Sequence, residues 1–93
     1  MVAEITGGKP YVDELGGDYI SRSFDVSSDD YVWHRDANDR TIEIVEGNGW
    51  TFQIEGCLPF LLKGGLVFTI EKNVYHRLIK GVDDLEIKIT EHK

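Results

Sequence analysis

Apolar residues along this chain recur at every second position, and the 3.6-residue helical period is nearly absent. Ile42 and Ile44 form one such run, then Trp50, Phe52 and Ile54, then Leu66, Phe68 and Ile70, then Leu85, Ile87 and Ile89. Successive side chains of an extended chain point to opposite faces, so each run reads as a strand with one buried face. Between the runs stand "GNG" at Gly47 to Gly49, "EG" at Glu55 and Gly56, "KGG" at Lys63 to Gly65, "KN" at Lys72 and Asn73, and "GVDD" at Gly81 to Asp84. Their residues favour turns or tolerate positive φ. Turn signals about every 8–12 residues predict an all-β sandwich or closed barrel of short strands. Strands are predicted near 19–24, 30–35, 40–46, 50–55, 59–63, 66–70, 74–80 and 84–90. The first seventeen residues are less regular and read as an edge strand or a short turn of helix.

Length and charge narrow the picture further. The 93 residues make one domain over 1–93, without a repeat, linker or low-complexity tract. Seventeen acidic against ten basic residues give a net charge of −7, which repels both a nucleic-acid backbone and an anionic membrane surface. No leader pattern and no membrane-spanning apolar run is present, so the expected setting is the cytoplasm. Cys57 is the sole cysteine and reads as a small buried hydrophobe. The acidic stretch "SSDDY" at Ser27 to Tyr31 reads as a solvated turn, since too few further oxygen ligands lie nearby for calcium.

Candidate chemistry gathers around "WHRDANDR". His34 and Asp36 are two apart and share a face if the strand runs through both. Arg40 has the parity of Ile42 and Ile44, which aims a guanidinium inward, where it needs a partner. Asp36 is the nearest in sequence able to pair with it in bidentate fashion. His76 shares parity with Leu78 and also aims inward. Two histidines and one carboxylate are the ingredients of a facial triad with open metal positions. Gln53 has the opposite parity to Phe52; it lies outside if the aromatics face inward and joins the polar cluster if a bulge reverses the phase. Trp33 and Tyr75 each precede one of these histidines and point the other way, toward an outer apolar face or the N-terminal segment. His92, next to last, reads as frayed and exposed.

On two motifs the chain resembles the small single-domain cupins. The first cupin motif runs H-x-H, three or four residues, E, six residues, G; here His34, Asp36, Arg40 and Gly47 keep that spacing. The second runs G, five residues, P-x-G, two residues, H, three residues, N; here Gly65, Glu71, Asn73, His76 and Lys80 occupy those places. Asn73 stands for the turn glycine, and asparagine also tolerates the left-handed region. The resemblance implies a double-stranded β-helix, a jelly-roll barrel of about eight to ten short strands. It also implies metal positions at His34, Asp36, Arg40 and His76, and pairing into a homodimer through an outer face. Arginine cannot ligate a metal, so the four-ligand set is broken.

Two readings follow. If Arg40 turns toward a ligand, then His34, Asp36 and His76 hold a divalent metal such as iron, manganese, nickel or zinc. Arg40, with Gln53, then meets a small polar or anionic molecule. If Arg40 ties up Asp36, the pocket is a metal-free polar cavity. The expected function is that of a small-molecule-binding cupin. The alternatives are a metal-dependent dioxygenase or isomerase with a two-histidine, one-aspartate site, and a non-catalytic partner-binding domain.

Overall fold

The computed structural model describes residues 11–26 and 32–93. Eight strands form, β1 (Tyr11–Gly16), β2 (Tyr19–Phe24), β3 (Asp39–Glu46), β4 (Thr51–Ile54), β5 (Phe60–Leu61), β6 (Val67–Ile70), β7 (His76–Ile79) and β8 (Leu85–His92). They make two antiparallel sheets, one in the order β1-β2-β8-β3-β6 and one in the order β5-β4-β7. Among the described residues no helix is long and apolar enough to cross a membrane.

The alternation expected from the sequence sets which side chains face inward. Ile42 and Ile44 of β3, Phe52 of β4, and Leu85, Ile87 and Ile89 of β8 all lie in the core between the sheets. Trp50, Leu62 and Ile70 join them, with Phe24 of β2. Intervening residues such as Glu43 and Val67 are exposed. Burial of this alternate set is what drives two amphipathic sheets to pack face to face.

Two elements depart from the expected pattern. Residues 11–16, within the less regular stretch, are an edge strand paired in register with β2 from Tyr11↔Phe24 to Gly16↔Tyr19. Across that pair the Arg22 guanidinium donates to both Asp13 carboxylate oxygens, at 2.7 and 3.0 Å, and covers the Tyr11 ring. The segment predicted at 30–35 shrinks, within the described residues, to one bridge between His34 and His76. Asn73 explains why the ladder stops: it takes a left-handed φ of 65° and donates its N–H to the Asp36 carbonyl at 2.7 Å. A turn there takes the neighbouring backbone out of the extended geometry that further pairing requires. The "SSDDY" turn at 27–31 lies outside the described residues.

Two smaller expectations are corrected. Cys57 is exposed, because it sits in the turn after β4, where its N–H bonds the Ile54 carbonyl. His92 does not fray: it pairs with Asp39 at the end of β8, and its Nε2 stands 2.7 Å from Thr41 Oγ1.

Candidate functional site

Three parts of the chain bring the site together. His34 is held by its bridge, its N–H donating to the His76 carbonyl at 3.0 Å and its carbonyl accepting from His76 N–H at 2.9 Å. His76 opens β7 opposite Ile54 of β4, and Phe52 stacks on its ring at 5.3 Å between centroids. Asp36 is anchored through its carbonyl by Asn73. Asp36 and His76 are buried and His34 is half-buried, so the cluster opens on the His34 side.

Hydrogen bonding to the backbone sets both imidazole tautomers. His34 Nδ1 lies 3.0 Å from the Val32 carbonyl, and His76 Nδ1 lies 3.0 Å from the Val74 carbonyl. A carbonyl only accepts, so each Nδ1 carries its proton and each Nε2 of a neutral ring presents a lone pair. Those two Nε2 atoms face each other at 3.1 Å. Asp36 Oδ2 stands 3.3 Å from His76 Nε2. Both Asp36 oxygens are buried, and neither has a contact that meets hydrogen-bond geometry.

Three electron-pair donors therefore converge without a donor hydrogen between them unless a proton enters. Such a set is relieved by a proton on His76 Nε2, or by a cation. The spacing suits the cation, since two nitrogens bound at about 2.1 Å and at right angles stand about 3.0 Å apart. Ligand atoms of His34, Asp36 and His76 all lie within 4.8 Å of one another. The pinned Nδ1 protons also supply the outer hydrogen bond that orients a ligating histidine.

Electrostatics point the same way. Burial pushes the His34 imidazole below its ordinary value, against the Val32 carbonyl, which favours the charged form; His76 adds to the lowering. A neutral ring is the form that ligates. Burial alone would raise the Asp36 carboxyl, but His76, Arg40 and His34 outweigh it and hold the group below its ordinary range.

Arg40 lies inward as its parity predicts, at 9% exposure, yet its main partner is neither Asp36 nor open space. Its Nε and Nη2 donate to Glu91 Oε2 at 3.2 and 2.9 Å, while Nη1 stands 3.4 Å from Asp36 Oδ1. Glu91 faces Arg40 directly across β3 and β8. Sequence reasoning missed Glu91, although its parity with Leu85, Ile87 and Ile89 was a usable signal. Gln53 is not brought to the cluster. Strand β4 runs without a bulge against β7, and the Gln53 amide accepts from Arg77 Nε at 2.9 Å and donates to the Cys57 carbonyl at 3.1 Å. Arg77 also covers the exposed Trp33 ring, and Arg35 lies over Tyr75.

No protein-family model matches the sequence, and no curated protein matches it in sequence. Solved structures do match. Protein NMB1881 from Neisseria meningitidis superposes with a TM-score of 0.65 at 16% identity, covering 96% of this chain and 89% of that one. A cupin-2 domain containing protein from Shewanella frigidimarina gives 0.66 at 17% identity, over 91% and 84%. FeII HppE in complex with substrate gives 0.66 at 16% identity over 97% of this chain but 57% of its own, so this chain spans little more than half its length. At such identities the likeness speaks for the fold alone. The chain has a cupin-type fold, a jelly-roll barrel of two antiparallel sheets with a histidine, aspartate, histidine cluster able to receive a metal.

Proposed function

We propose that this protein is a metal-dependent, small-molecule-binding cupin in which His34 Nε2, His76 Nε2 and the Asp36 carboxylate hold one divalent cation. The observation that carries the reading is the meeting of two Nε2 lone pairs at 3.1 Å beside a buried carboxylate without hydrogen bonds. Imidazole and carboxylate donors suit iron, manganese, nickel or zinc, and a two-histidine, one-carboxylate set with open positions is that of non-haem Fe(II) sites. The structural neighbours include HppE with FeII and with CoII.

The chain's own residues have distinct parts. Val32 and Val74 carbonyls hold the rings in the ligating tautomer, and Phe52 packs the His76 ring in place. A bound cation would supply Lewis-acid or redox chemistry to a small polar or anionic molecule entering from the half-buried His34 side. With neutral histidines, Asp36, Arg40 and Glu91 sum to one negative charge, which favours a cation at the centre.

Metal analysis after chelation and reloading with Fe(II), Mn(II), Ni(II) or Zn(II) tests this reading. The expected result is about one equivalent in the wild type, lost in His76→Ala while far-UV circular dichroism is retained. A wild type that retains none of these metals refutes it and leaves a proton-bridged, metal-free pocket.

A further inference from the structure

Resting on that reading, we infer that Glu91 is a positioning residue for the cation site: by holding the Arg40 guanidinium it keeps Asp36 free to ligate. Arginine stands in the barrel beside a carboxylate that the site needs, and a buried guanidinium takes whatever anion it can reach. Two carboxylates are within reach. Glu91 receives both Nε and Nη2 on one oxygen, whereas Asp36 is touched only by Nη1 at 3.4 Å, without hydrogen-bond geometry. The preference is built into the sheets, since Glu91 is the direct cross-strand partner of Arg40. Asp36 is fixed by its carbonyl bond to Asn73, on the far side of the 37–38 turn.

Charge reinforces geometry. Glu91 offsets the guanidinium, so an incoming divalent cation meets a site that is negative overall; remove that carboxylate and the site becomes neutral, with Asp36 the remaining anion beside Arg40. The substitution of an arginine for a metal-ligating acid is thus compensated from a different strand, by a residue outside both motifs.

Co(II) binding, followed by calorimetry and by the visible ligand-field spectrum, tests the assignment on the wild type, Glu91→Gln and the double variant Arg40→Met/Glu91→Gln. Loss of a residue that supports a metal ligand costs about 10- to 100-fold in metal affinity, and that weakening is expected for Glu91→Gln. The double variant has no guanidinium to be held and is expected to bind within about threefold of the wild type, with the wild-type spectrum. Wild-type-like affinity in Glu91→Gln overturns the inference while the metal-binding reading stands. A double variant as weak as the single one also overturns it, because Glu91 would then act without Arg40. Should Glu91→Gln fail to fold, the double variant, which leaves no charge unpaired, still decides by its own affinity. Absence of Co(II) binding by the folded wild type overturns both the reading and the inference.

Discussion

Two histidines with their Nδ1 protons spent on carbonyls two residues back are an uneasy pair, because their free nitrogens then face each other at 3.1 Å. The consequence for stability has a definite sign. His34 has a folded value below 6.5, so between the two values the unfolded chain binds more protons, and its contribution is fully present above pH 6.5 and lost as pH falls through the folded value. Asp36, held below 3.8, behaves likewise in a lower window, its contribution present above 3.8 and lost on further acidification. Chelator-treated protein is therefore expected to show a falling urea midpoint from about pH 7.5 to about pH 5.5, with a shallower fall in His34→Gln. A midpoint that is flat or rises on acidification would contradict the assignment. At this scale much was legible: His34, Asp36 and His76 meet as their spacing implied. Glu91 was overlooked because the nearest acid in sequence, Asp36, is not the nearest suitable acid across the sheet.

At the scale of elements, turns decide where strands stop and how closely they approach. Asn73 adopts the left-handed conformation that its place in the second motif calls for. Replacing it with valine, whose branched side chain is strained there, is expected to cost about 1–3 kcal/mol and to weaken metal binding, since its N–H anchors Asp36. Glycine at the same place should fold normally; equal stability of the valine variant by urea titration would refute the strain. Gly81 has a different reason to be glycine. A Cβ there would collide with the backbone of Asn48, Gly49 and Trp50, where Val82 N–H bonds the Asn48 carbonyl at 2.9 Å. Backbone cannot yield as a flexible side chain does, so Gly81→Ala is expected to lose about 1–3 kcal/mol in the same assay. The strand boundaries at 19–24 and near 40–46 were legible from alternation and turn residues. The bridge at His34 was not, because pairing partners are a property of the sheet.

For the whole molecule, one core joins the two sheets. Ile44, at 1% exposure, and Trp50, at 0%, lie within it. Ile44→Ala is expected to cost about 2–5 kcal/mol, lowering the urea midpoint with little change in slope. Because the core is shared, the loss should appear in one transition by circular dichroism and by tryptophan fluorescence alike. Separate transitions for the two probes would mean that the sheets unfold independently. The outer face carries Trp33, Arg35, Tyr75 and Arg77 in two cation–π pairs, on the side opposite the cluster.

By itself the sequence determined the all-β class, the inward parity of Arg40, the ligand spacing around His34 and the left-handed turn at Asn73, because each depends on the period of the chain or on local sterics. Tertiary structure alone decided the strand order, the two imidazole tautomers and the destination of the Arg40 guanidinium. Those depend on which backbone carbonyl or carboxylate lies across a sheet, and neighbours across a sheet such as Arg40 and Glu91 can stand half the chain apart.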